Sequence, residues 1–241
     1  MTIVDELLSS LNCNGPVRDI CQGAFQTAVW TRTCGLASTP HDPGSHHSRF
    51  AVGSAGLLLE RCAGDVALMA KSSSQNEAAI GMACINSLLE VKEQDCVELN
   101  AGDLLMQKGE NRRVAIIGHF PFVPALRKVA KELWVIEKNL HEGDVPESEA
   151  GSLLPQADVV GITGSAFINN TIDSLLKMTS SKAYVVVLGG TAPLSSILFD
   201  HGVNAVSGTL VIDPECVLLY VSQGATFRQI EGVRLLTMQK Q

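Results

Sequence analysis

Several residue groups could carry chemistry. His41-Asp42-Pro43-Gly44-Ser45-His46-His47 crowds three imidazoles and a carboxylate into one Pro/Gly loop. Such donors hold zinc, nickel or copper when they converge. Their spacing fits neither a helical i, i+4 pair nor a zinc finger, so His41, His46 and His47 stand either at a metal or in a solvated loop. Gly118-His119, Thr163-Gly164-Ser165 and Gly189-Gly190-Thr191 each follow a short apolar run, and Glu137 ends another. Glycine lets backbone N–H groups approach a ligand closely, and hydroxyls add adaptable donors. His119 suits a general acid or base, a metal ligand, or a turn histidine bonded to backbone. Glu137 lies 19 positions after Gly118, near where nucleotide-binding folds place an acid on ribose hydroxyls. An exposed acid beside Lys138 is the alternative. Together His119 and Glu137 form a minimal candidate metal pair.

The elements that must position these residues follow from hydrophobic period. Residues 113–117, 134–137, 158–162 and 184–188 read as short buried strands, with a fifth over 205–208. Between them lie helical stretches: 122–133, 171–178 with Asn170 as N-cap, and one running through Phe199. Asp213-Pro214-Glu215 opens a last helix by cap, N1 proline and first-turn acid, and Gly224 closes it. Strands that are apolar throughout and alternate with helices imply a parallel sheet covered on both faces. In such a sheet the strands' carboxyl ends share one edge, so the glycine turns converge there on a crevice.

The first part of the chain has another pattern. An amphipathic helix carries Ile3, Val4, Leu7, Leu8 and Leu11 on one side. Strands are expected over 17–21, 26–32 and 34–38, with Gln26, Ala28 and Trp30 on one face of the second and Thr27 and Val29 on the other. A small-residue helix follows over 75–91. Strands first and helices afterwards make a small α+β domain. A polar stretch over 98–113 separates the two patterns, which gives domains at 1–100 and 101–241.

Composition narrows the function classes. With 18 basic and 25 acidic residues the net charge is −7, and no basic block exists, so nucleic acid is not an expected partner. No apolar run approaches the roughly 20 residues that cross a bilayer. The N-terminus carries acids where a signal peptide has basic residues. Seven scattered cysteines without a C-x-x-C suit reduced thiols, hence a cytoplasmic protein. There is no P-loop, no G-x-S-x-G and no H-E-x-x-H, and the first turn, GHFPFV, is not G-x-G-x-x-G. No activated nucleophile stands out, which favours binding, or chemistry done by the ligand itself.

The runs VAIIGHFPFVPAL, VIEKN, ADVVGITGSAFINNTIDSLL, VVVLGGTAPL and HGVNAVSGTLVID, with GLAST and AAIGMACINSLL before them, resemble a family of prokaryotic proteins grouped under heavy-metal chelation. The likeness runs from about Arg18 to Gly224. It implies a small enolase-N-terminal-like α+β domain followed by a Rossmann-like domain, an α/β architecture with a site between the two. Carried onto matching positions, it points to Gly118, Phe120, Pro121, Glu137, Thr163, Gly164, Asn169, Thr171, Gly189 and Pro193, with Asn86 facing them from the partner domain. The chain departs from the family's G-P-S-T-P loop, reading Gly189-Gly190-Thr191-Ala192-Pro193, so one hydroxyl is moved or lost.

Three functions fit these residues. One is a protein that binds a divalent transition metal or a metal complex. Another is an enzyme using a nucleotide-like cofactor such as S-adenosylmethionine. The third is a non-catalytic small-anion sensor or assembly subunit. In each the partner is a small molecule or metal, and a homodimer is expected.

Overall fold

The computed structural model describes residues 1–40 and 51–240. Among them two sheets form. β1 (Asp19–Gln22), β2 (Gln26–Trp30) and β3 (Cys34–Ser38) make an antiparallel meander. The larger sheet holds β4 (Cys96–Val97), β5 (Arg113–Ile117), β6 (Glu132–Glu137), β7 (Val145–Pro146), β8 (Val159–Thr163), β9 (Tyr184–Leu188), β10 (Ala205–Val211) and β11 (Val233–Gln239), in the order β4-β11-β10-β9-β8-β5-β6-β7. β5 through β10 run parallel. With β5 as the first strand, this run has the 3-2-1-4-5-6 order of doubly wound nucleotide-binding folds, and its direction reverses between β5 and β8.

Sequence and structure part company at three places. The helix expected over 122–133 is α5 (Val123–Val129) and stops early. Lys131 N–H donates to the Arg112 carbonyl, and Glu132 pairs with Arg113, so the chain is already strand where the helical pattern was read. The sheet is also mixed. β11 pairs antiparallel with all seven residues of β10, and β4 pairs antiparallel with β11. β4 belongs to the large sheet although it precedes the polar stretch. Finally, Asn170 does not cap α8 (Ile172–Met178): the cap position is Thr171, while Asn170 takes a positive φ of 55° and its amide donates to the Ser72 carbonyl.

Both sheets are covered on two faces, which explains their apolar strands. Alternation sends Val114 and Ile116 of β5 under α5 and α4 (Ala101–Gly109), while Ala115 faces the opposite layer. In the meander, Val29 and Ala37 pack on α3 (Gln75–Leu88). Ala28, Cys34 and Leu36 pack on α10 (Pro214–Ser222), a helix from the other end of the chain. The approach of α10 is close enough that a Cβ at Gly23 would lie 2.1 Å from the Val221 carbonyl oxygen. At α1 (Ile3–Ser10), Ile3 N–H reaches the Asp173 carboxylate at 3.1 Å and Glu6 meets His201 at 2.9 Å, so the N-terminal helix also docks on the larger sheet's layer. One core cluster therefore runs through both halves. No helix among the described residues is long and apolar enough to cross a membrane.

Candidate functional site

The carboxyl edge of the parallel run is shaped by three turns. After β5, Gly118 adopts φ +101° and donates its N–H to the Ile136 carbonyl. A Cβ there would sit 3.0 Å from that of Thr163, so the β5 turn lies directly against the end of β8. After β8, Gly164 donates to the Leu188 carbonyl, and α7 (Ser165–Ile168) begins at once. After β9, Gly189 takes φ +112° and donates to the Ser207 carbonyl. A residue with a Cβ is strained at such φ values, so glycine is demanded by the backbone at 118 and 189.

Between these turns lies a cavity of about 380 Å³. It sits where the strand order reverses, the place a doubly wound sheet offers a ligand, and is of the size small-molecule sites have. Its lining includes Gly118, His119, Phe120, Glu137, Thr163, Ser165, Asn169, Thr171, Gly189 and Gly190. The cavity opens outward into a more polar basin that shares Ser38, Glu137, Lys138, Glu147, Ser165 and Asn169 with it and adds Gln75, Thr39 and Pro40. Asn169 accepts from the Gln75 amide at 2.9 Å, which ties α3 to the rim.

The remaining sequence candidates lie elsewhere. Thr191 is 1% exposed; its Oγ1 accepts from Ser38 N–H at 2.9 Å. Asn86 donates to the carbonyls of Leu36 (2.9 Å) and Thr191 (3.2 Å). Both residues fasten the meander to the β9 turn. Gly164 is packed so tightly that a Cβ would stand 2.5 Å from Ala192 N. Pro193 is buried behind the same turn. Pro121 borders a second, more apolar cavity of about 520 Å³, which shares Phe120, Gly189 and Phe227 with the first. His41, His46 and His47 lie outside the described residues.

The described residues alone do not assemble a donor set for a bare metal ion. His119 and Glu137 line one cavity, yet His119 Nε2 stands 3.7 Å from Asp144 Oδ1, and its ring meets that of His141 edge-on at 4.9 Å. The Glu137 carboxylate accepts from Lys138 N–H at 2.9 Å. Among the described residues no three His, Cys, Asp or Glu side chains converge as a metal centre needs.

The lining also holds residues that the sequence reading did not single out as site candidates: Gln26, Ser38, Lys138, Glu147 and Phe227. Gln26 gave a signal, a polar side chain on the same strand face as Ala28 and Trp30. Phe227 gave none, because it reaches the cavity only through the return of the chain after α10.

Comparison with known proteins gives the same outline. Residues 100–239 match the family DUF364 and residues 4–89 match DUF4213, both described as "Putative heavy-metal chelation". The chain belongs to the DUF364 family. A crystal structure of a DUF364 protein of unknown function from Desulfitobacterium hafniense superposes with a TM-score of 0.87 at 24% identity, covering 99% of this chain and 98% of that one. One from Pyrococcus horikoshii gives 0.84 at 20%, with the same coverage. These two likenesses establish the fold. The uncharacterized protein MJ0500 of Methanocaldococcus jannaschii is 26% identical over 171 residues, which are 68% of this chain and 66% of that protein's own length.

Proposed function

We propose that this chain binds a small organic molecule, or a metal carried within one, in the cleft between its two sheets. The observation that carries the reading is the cavity at the reversal between β5 and β8, lined by many hydrogen-bonding groups and few metal donors. Heavy-metal chelation in this reading means capture of a metal complex through its organic part. The smaller division of the chain, 1–100, supplies one wall through Gln26 and Ser38, and 101–241 supplies the rest. A small-anion sensor is a poorer match, because among the described lining residues Glu137 and Glu147 outnumber Lys138.

One observation favours a nucleoside-like ligand. Glu137 ends β6, the neighbour of β5 on the outer side, the position from which a carboxylate receives ribose hydroxyls in this strand order. Calorimetric titration with adenosine and S-adenosylmethionine, beside Zn²⁺, Ni²⁺ and Co²⁺ salts alone, tests both statements. The expected result is binding of at least one nucleoside and none of the bare ions at stoichiometric level. Glu137→Gln should weaken the nucleoside about tenfold, roughly one charge-assisted hydrogen bond. Its folding stability should change by less than about 0.5 kcal/mol, since the carboxylate's protein contact is one exposed N–H. Tight stoichiometric binding of a bare ion would replace this reading.

A further inference from the structure

Gln26 opens β2 and is 6% exposed. Its side chain lines the inner end of the cleft, and among the described residues Oε1 is buried without a hydrogen-bond partner. Buried amide oxygens are usually paired, so an unpaired one on a cavity lining is a place where a ligand's donor would fit. Asn86 Oδ1 is unpaired as well, but Asn86 is not on the cleft lining and is accounted for by its amide's two bonds. Beside Gln26, a Cβ placed on Gly190 would lie 3.4 Å from Oε1 and 2.8 Å from the Phe227 ring. With no side chain at 190, the amide oxygen and the Phe227 ring both pack close to the turn backbone, and Gln26, Phe227, Phe120 and Ile117 share the cavity lining.

We propose that the β9 end of the cleft receives a hydrogen-bond donor, an N–H or O–H on a neutral or cationic ring-bearing molecule, and that Gln26 Oε1 is the acceptor that selects it. The proposal rests on the cleft being a ligand site and adds the chemistry of the ligand's inner end. Aromatic and aliphatic walls suit a ring, and the orphan oxygen suits one polar hydrogen on its edge. An anionic end would set oxygen against oxygen. Lys138, the lysine among the described lining residues, stands near Glu137 and 3.8 Å from Glu147. The end of β6 is three strand spacings from that of β9, about 14 Å, too far to neutralise an anion beside Gln26.

Three rings of one size separate the possibilities: benzamide (neutral donor), benzamidine (cationic donor) and benzoate (anion, no donor). Each is titrated by ligand-detected NMR against the wild-type chain, Gln26→Leu and Gln26→Met, and ligand-free melting temperatures are recorded. The donors should bind about tenfold or more above benzoate, and both substitutions should erase the preference. The ligand-free variants should melt at or above the wild-type temperature, because they remove an unpaired polar group. Benzoate binding as well as benzamide, or a preference that survives both substitutions, ends the donor rule while leaving a ligand cleft in place. A large melting-temperature loss in both variants with ring binding unchanged makes Gln26 a structural residue and also overturns it. If none of the rings binds at millimolar concentration, the donor proposal falls, and the adenosine and S-adenosylmethionine titration alone decides the cleft reading.

Discussion

Gly118 and Gly189 end parallel strands with nearly the same backbone habit, φ +101° and +112°, and both line the cleft. The chain continues differently from the two. After Gly118 it runs through His119 and Phe120, whose side chains line the open cavity. After Gly189 and Gly190 it runs into Thr191, Ala192 and Pro193, all buried, with Thr191 bonded to Ser38 of the meander and to Asn86 of α3. One turn is free to meet a ligand, and the other anchors the two halves at the fixed separation that leaves the cleft open. A glycine-rich turn at a strand end therefore has two uses, distinguished only by what packs behind it.

The sharpest break of this comparison comes from adding one methyl group on either side of it. In Gly164→Ala the new Cβ would meet three backbone atoms of Thr191 and Ala192 at 2.5–3.1 Å. Backbone cannot yield as a side chain does, so the cost should be about 3 kcal/mol or more, read by urea unfolding. In Gly190→Ala the methyl meets the Phe227 ring and Gln26 Oε1. A ring can rotate away, so stability should fall by only about 1 kcal/mol, while the inner cleft is narrowed. Equal costs at 164 and 190 would contradict the division of the anchoring β9 turn into a packed side and a side that faces the cleft.

This division marks where sequence legibility stops. Period and length were enough for β5, β8, β9 and their common edge, because buried parallel strands are locally uniform in character. Glu137 was legible as a strand end for the same reason. Thr191 and Gly164 resemble ligand-cradle residues in sequence, since a hydroxyl or glycine after a strand looks alike whether it faces a ligand or another sheet. The use of Thr191 is set by residues more than 100 positions away, Ser38 and Asn86, and that of Gly164 by the next strand's turn at Thr191 and Ala192. The antiparallel β11 was invisible because its partner is reached only after the whole of α10. Gln26 needed the burial on both sides of β2, which α10 creates from the far end of the chain.

A smaller effect is expected where the anchor depends on hydrogen bonds alone. Asn86→Ala removes two N–H donors and leaves the Leu36 and Thr191 carbonyls without them. The loss should be about 2 kcal/mol, and it should be accompanied by faster amide hydrogen exchange in β3 with β5 and β6 unchanged. Exchange that quickens equally across both sheets would show that the contact is not the local tie between halves.

The mildest test uses pH and two buried thiols, one in the meander and one in the helix packed on it. Burial pushes Cys34 of β3 and Cys84 of α3 from the ordinary 9.0 up to about 12, with the Asp19 charge adding to the effect at Cys34. Each folded thiol holds its proton more tightly than the unfolded chain does, so the neutral form's contribution is complete below pH 9. It diminishes as pH rises toward 12, where the unfolded chain gains from ionising and the folded one does not. One unit above the ordinary value the loss should be about 1 kcal/mol per thiol. Urea unfolding at pH 8 and pH 10, in roughly that range, should show a fall that Cys84→Ala reduces by about 1 kcal/mol, apart from that variant's own constant packing loss. An undiminished slope in both Cys84→Ala and Cys34→Ala would mean that solvent reaches both thiols.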